Sequence, residues 1–117
     1  MIPQQIAEAF SNGNFEVTYP HFADDVEWLV IGEHHIQGKE SVMDQCNQTA
    51  KYFQSVTTHF VTLNVITTPN RIAINGTAEF IRNQKRVAFV HACDVYEFND
   101  EHKLQKVTSY CIPEQTK

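Results

Sequence analysis

The chain has 117 residues, 42% of them hydrophobic and 11% aromatic, which makes one domain by the usual span of about 100–200 residues. A chain this long buries roughly two-thirds of its unfolded surface, so a core forms without disulfides or a structural metal. Nine Lys and Arg against 14 Asp and Glu leave a net charge of −5, and no basic run exceeds the split pair of Arg82 and Lys85-Arg86, which excludes nucleic acid and an anionic membrane surface as partners.

The three cysteines, Cys46, Cys93 and Cys111, are odd in number and lack Cys-x-x-Cys spacing, so they read as reduced thiols in a cytoplasmic protein. Met1-Ile2-Pro3-Gln4-Gln5 has neither the basic nor the apolar region of a secretory leader, and the apolar run Trp28-Leu29-Val30-Ile31 is far too short to span a bilayer.

Ile2, Ile6, Ala9 and Phe10 recur at helical spacing behind Pro3, and Gly13 ends this first helix. Asn14 caps a second helix over 14–19 that should stop or kink at Pro20, which has no N–H to donate. Residues 26–31 are β-branched and aromatic, as in a strand, and 32–38 form a polar loop holding His34 and His35. Over 39–53, Val42, Met43, Cys46, Ala50 and Phe53 share one helical face, predicting the longest helix. Four strands follow, 57–67, 71–81, 86–98 and 104–112, joined by short turns that make neighbours antiparallel. The tail 113–117 reads as frayed.

Helices first and long strands after is the α+β pattern, with the helices on one face of an antiparallel sheet. In 86–98 the even positions are apolar around Asp94, and so are the odd positions Val87, Phe89, Cys93 and Val95 around His91. A free antiparallel sheet keeps one wet face, so the odd face is expected to pack on a second copy of the chain as a homodimer, or else beneath another internal element.

Four motifs follow one another with the right gaps: Gly13-Asn14-Phe15-Glu16, Phe22-Ala23-Asp24-Asp25-Val26-Glu27-Trp28, Gly38-Lys39-Glu40-Ser41-Val42 and Cys93-Asp94-Val95-Tyr96-Glu97-Phe98. With this order of elements the chain resembles the nuclear transport factor 2-like superfamily, in its SnoaL-like (polyketide cyclase-like) branch. The resemblance covers nearly the whole chain. It implies a strongly curved sheet wrapped around N-terminal helices into a cone, with an apolar pocket at one end and dimerisation through the sheet. The superfamily hosts isomerases, dehydratases, epoxide hydrolases, cyclases and non-catalytic modules, so activity has to be argued from pocket residues.

Ketosteroid isomerase relatives carry a carboxylate base at the position of Val30 and a tyrosine near Ile6, and neither residue here can do that work. Their third part, an aspartic acid kept protonated in an apolar site, matches Asp94; this enzyme is a familiar example of such a group. The Asp-Arg-Asp set of epoxide hydrolase relatives would have only Arg82 or Arg86 with Asp94 as a fragment.

Asp94 is the candidate catalytic residue, since desolvation among Val90, Ala92 and Tyr96 raises a carboxyl into the range useful for acid or base work. The alternative is a structural aspartate bonded to a neighbouring strand or helix end. With a turn at 99–102, Phe98 faces Lys103, and Asp94, Ala92 and Val90 face Val107, Ser109 and Cys111. Trp28, Val30, Met43, Cys46 and Phe53 form either a pocket wall or plain core, while Tyr19 and Tyr96 could add orienting hydroxyls.

Cys111 lacks an adjacent base, which favours a wall or core thiol over a nucleophile. His34 and His35 diverge on an extended segment and have no third ligand, so no metal site is expected. His91 falls on the face opposite Asp94, and His59 remains a candidate proton-transfer partner. No nucleotide-binding or Gly-x-Ser-x-Gly element occurs, so no cofactor is expected. The expected function is binding of a small apolar molecule. The alternatives are a cofactor-independent isomerase, cyclase or lyase using Asp94, and a protein-interaction module whose cone is filled by Trp28, Met43 and Phe53.

Overall fold

A computed structural model describes residues 1–115. Helix α1 (Pro3–Ser11) starts with Pro3 in its first turn, where no N–H is needed, and the Ile2 N–H donates to Gln5 Oε1 at 2.9 Å. It buries Ile6, Ala7 and Phe10. The Asn14 N–H closes its end by donating to the Ala9 carbonyl at 2.9 Å, around Gly13 with φ +77°. A Cβ at Gly13 would stand 3.0 Å from the Phe53 ring and 3.3 Å from Phe60, so glycine both permits the turn and lets the helix end approach these rings.

The expected second helix is a 3-10 segment, Glu16–His21, and Pro20 lies inside it. The proline ring fixes φ near the 3-10 value and does not end the segment. Strand β1 (Phe22–Val30) begins four residues before the sequence suggests, because Phe22 already pairs with Leu104. Part of the expected polar loop is a strand, β2 (His34–Gln37), antiparallel to β1. It is a short edge strand with mostly exposed residues, held by its backbone ladder and by His35 Nε2 at 2.7 Å from Glu27 Oε1. Without a buried face it leaves no alternating pattern to read.

Helix α2 (Lys39–Ser55) buries Val42 and Cys46, with Met43, Ala50 and Phe53 packed against the core. Strands β3 (Thr57–Thr67), β4 (Arg71–Arg82), β5 (Lys85–Phe98) and β6 (Leu104–Pro113) follow. Pro113 thus belongs to β6, and the Glu114 N–H donates to the Phe89 carbonyl at 2.7 Å. The tail expected to fray from 113 is therefore paired at its start; residues 116–117 lie outside the described part.

The six strands form one curved sheet in the order β2-β1-β6-β5-β4-β3. All neighbours are antiparallel except β1 and β6, which run parallel. No tight turn joins these two, so nothing forces them to oppose. Both helices contribute to the core cluster, with Phe10, Val26, Val42, Tyr96, Phe98, Leu104 and Val107 among its buried members. No helix among the described residues is long and apolar enough to cross a membrane.

Bulges add twist to the sheet. On β3, Leu63 is the extra residue between Thr62, opposite Gly76, and Asn64, opposite Asn75. A Cβ at Gly76 would sit 2.2 Å from the Val61 carbonyl oxygen, an overlap between backbones that no rotamer relieves. Gly76→Ala is expected to cost roughly 2 kcal/mol, seen as a lower urea midpoint at unchanged m-value.

Candidate functional site

The turn between β5 and β6 places the site. Asn99 Oδ1 accepts the N–H groups of Glu101 and Lys103, both at 3.0 Å, and the Asn99 N–H donates to the Lys103 carbonyl at 2.9 Å. Phe98 therefore pairs with Leu104, one residue beyond the pairing that a turn over 99–102 implies. A bulge at Gln105 adds one more: Glu97 pairs with Lys106, Tyr96 with Val107, Asp94 with Ser109 and Ala92 with Cys111. The expected partnership of Asp94 with Val107 is corrected by two residues. Because two is one strand period, Ser109 and Cys111 stay on the face of Asp94.

This face borders a cavity of about 380 Å³ between the helices and the sheet. Six aromatic residues line it: Phe10 and Phe15 from the N-terminal segment, Trp28 of β1, Phe53 of α2, Phe60 of β3 and Phe80 of β4. Phe53 and Phe80 stack at 5.7 Å with 14° between their planes, and Phe10 meets Trp28 edge-on at 5.0 Å. Small residues, Ser11, Ala78, Ala92 and Ser109, stand where large ones would fill the space. Glu33, His34, Gln45, Thr49 and Cys111 complete the lining with Val30, Val90 and Asp94.

Asp94 carries the polar end. Ser11 Oγ donates to Asp94 Oδ2 at 3.1 Å, the Tyr96 hydroxyl lies 3.4 Å from the same oxygen, and Ser11 and Tyr96 are themselves in close hydroxyl contact. Trp28 Nε1–H donates to Ser109 Oγ at 2.9 Å. An indole can only donate, so the Ser109 oxygen accepts and its own proton is free for the carboxyl opposite. Burial pushes the Asp94 carboxyl above its ordinary value of 3.8, while hydrogen bonding from Ser109, Ser11 and Tyr96 opposes the rise. The Tyr96 phenol is held well above its ordinary range by burial and by the charge of Asp94.

Of the residues picked from the sequence, Asp94, Trp28, Val30, Phe53, Ser109 and Cys111 border the cavity. Four lie outside its lining. Tyr96 is wholly buried behind Asp94, and Cys46 is sealed in the core, where burial pushes its thiol up to about 12. Met43 packs against the core, and the Tyr19 hydroxyl donates to Asn47 Oδ1 at 2.6 Å. Helical periodicity brings Met43 and Cys46 onto the buried side of α2 without saying which turn borders a void.

His59 is exposed on the outer face, opposite Glu79, so it cannot pass a proton to Asp94. His91 is also exposed there, 3.6 Å from Glu114. Arg86 pairs with Glu79 and stacks over Phe89 at 4.7 Å, and neither Arg82 nor Arg86 lines the cavity, which leaves the epoxide hydrolase set without its arginine. Burial, then the charges of Asp94 and Glu33, push the Cys111 thiol up to about 11, so at neutral pH it is protonated and a poor nucleophile. Among the described residues no group of three His, Cys, Asp or Glu is arranged to hold a metal.

Ser11 does not stand out in the sequence. It follows Ala7 at one helical turn, a spacing that marks the buried side of α1, but serine at a helix end reads equally well as a solvated cap. Phe15, Phe60 and Phe80 were legible as apolar and not as lining, since a void leaves no mark in periodicity.

A cone of helices and curved sheet with an aromatic cavity and one recessed carboxyl defines a small α+β pocket domain. The chain belongs to the SnoaL-like domain family, whose model matches residues 4–107. It is similar to an NTF2-like protein of unknown function from Cytophaga hutchinsonii, with 36% identity over 92% of this chain and 94% of that one at a TM-score of 0.83. An LEH-like epoxide hydrolase from M. tuberculosis shares the fold at 17% identity, covering 94% and 82% of the two chains, with a TM-score of 0.70. The epoxide hydrolase/cyclase-like enzyme SalBIII, of pyran ring formation in the polyether salinomycin, shares it at 16% identity, covering 94% and 90%, with a TM-score of 0.71. No curated protein matches the sequence.

The raised carboxyl makes stability depend on pH. A folded-state value above the unfolded one favours folding below about 3.8 and loses that benefit as pH rises through the folded value, where a poorly solvated carboxylate forms. Asp94→Asn keeps an acceptor for the hydroxyls and cannot ionise. It is expected to raise the melting temperature at neutral pH and to flatten the decline between acid and neutral pH, as measured by calorimetry across that range.

Proposed function

We propose that the domain binds a small, largely apolar molecule in its aromatic cavity, with Asp94 at the polar end and Trp28, Val30, Phe53, Ser109 and Cys111 on the walls. The observation that carries this reading is an open space of about 380 Å³, within the usual range for ligand pockets of roughly 300–1,000 Å³, with a recessed carboxyl and its hydroxyl partners Ser11 and Ser109 in its lining. A protein-interaction module with a filled cone has less support, since space remains between Trp28 and Phe53 and Met43 is not part of the lining. The three free thiols suit a cytoplasmic setting.

Turnover is the second reading. A carboxyl raised by burial and flanked by Ser11, Ser109 and Tyr96 has the environment of a general acid or base. It would serve an isomerase, cyclase or lyase step that moves one proton without a cofactor.

The expected result of a thermal-shift screen with small carbonyl, phenolic, polyketide-like and steroid-like compounds is a raised melting temperature for some of them, since ligand binding to the native state stabilises by mass action. These shifts should shrink on filling the cavity with Ala92→Phe. A screen without a single stabilising compound would sink the pocket reading.

The partner we infer is a second copy of the chain on the outer sheet face. Val61, Thr77, His91 and Ile112 form one cross-sheet row there, and Ile66, Ala73, Val95 and Thr108 form another. Val61, Ile66 and Ile112 are exposed, and an apolar face of this kind marks an interaction site. Sedimentation velocity at micromolar concentration should give a dimer that Ile112→Lys splits; a monomeric parent protein would end this reading.

A further inference from the structure

The charges around the cavity are one-sided. Among the described residues neither lysine nor arginine lines it; the charged lining groups are Asp94 inside and Glu33, and the single basic ring is His34. None of the four ion pairs among the described residues includes Asp94.

The polar neighbours of Asp94 are hydroxyls: Ser11 donates to Oδ2 with the Tyr96 hydroxyl in contact with both, and Ser109, whose oxygen is already engaged by the Trp28 indole, has its proton free for the carboxyl. Such a shell holds a carboxylate in place without neutralising it. Of the other titratable groups nearby, Cys93 points to the outer face on β5, and Cys111 stands next to Ser109 on β6 at a site that keeps its thiol protonated. From β4 the opposite residue is Ile74, which is apolar. No cation among the described residues completes the site.

A buried carboxylate is costly until a counter-charge arrives. Six of the remaining wall residues are Phe or Trp, and aromatic ring faces carry negative potential that attracts organic cations. An anionic ligand would meet repulsion from Asp94 and from any ring face turned toward it.

We propose that the cavity takes a hydrophobic organic ammonium, its cationic nitrogen paired with Asp94 and its apolar body held between the phenylalanine and tryptophan walls. This rests on the pocket reading above and narrows it from apolar molecules in general to protonated amines.

The test uses three probes with one ring system and different head groups: naphthylethylamine, naphthylethanol and naphthylacetate, titrated by calorimetry into the purified full chain at neutral pH. The amine is expected to bind at least about tenfold more tightly than the alcohol, and the acetate more weakly than either. Asp94→Asn should abolish the amine's advantage over the alcohol. In the parent protein the amine's Kd should weaken as pH falls through the titration of Asp94, since the amine stays protonated and only the carboxylate is lost; the alcohol's should not move. This second arm stands whether or not the variant folds. Binding of the alcohol equal to or tighter than that of the amine would overturn the ammonium proposal and leave the pocket reading intact. Binding of none of the three would overturn both.

Discussion

The pairing of β5 with β6 is the constraint on which the rest of the site depends. A five-residue turn closed by Asn99 and one bulge at Gln105 move β6 by two positions, so that Ser109 stands opposite Asp94 and Val107 opposite Tyr96. A shift by one position would have turned Val107, Ser109 and Cys111 to the outer face and brought Lys106, Thr108 and Tyr110 to the side of the carboxyl. Since β1 is laid along the other edge of β6, with Val30 opposite Ser109 and Trp28 opposite Val107, the same register also aims the indole N–H at Ser109. One local irregularity thereby sets the hydrogen-bonding shell of a carboxyl and the wall of a cavity.

The cavity exists because large and small side chains are segregated. Phe10, Phe15, Trp28, Phe53, Phe60 and Phe80 hold one another at ring distances of 4.9–6.1 Å where they touch, which keeps the walls rigid. Ser11, Ala78, Ala92 and Ser109 face the space between them. A protein selected for stability alone would fill such a space, because each void forfeits dispersion contacts. The cost of the void and the cost of a recessed carboxyl fall at the same place.

Much of this was legible beforehand. The four long strands, both α-helices and the two-sided character of β5 follow from periodicity and turn residues, because extended segments with β-branched residues and a seventeen-residue amphipathic helix leave strong patterns. Asp94 was legible as a lone acid among apolar residues. Strand β2 was not, since an edge strand with exposed side chains is stabilised by backbone bonds that any residue can make. Ser11 and the phenylalanine walls were not separable from cap and core, because the difference between core and lining is made by what stands across the gap. For the same reason the sequence leaves Met43 and Cys46 open between wall and core, where the core holds them, and does not show that the Tyr19 and Tyr96 hydroxyls lie outside the lining.

The parallel pairing of β1 with β6 has a consequence for how the chain acquires this structure. The two partners are about eighty residues apart in sequence, and Phe22, Val26, Trp28 and Val30 have no other strand to cover them except the short β2. During synthesis the β3-β4-β5 meander can assemble from neighbouring hairpins, while β1, paired only with the short β2, keeps one edge open until β6 has emerged. Contacts of such long separation slow folding and expose sticky surface in the meantime, so the step that closes the cone around its cavity is also the step at which the nascent chain is most vulnerable to aggregation.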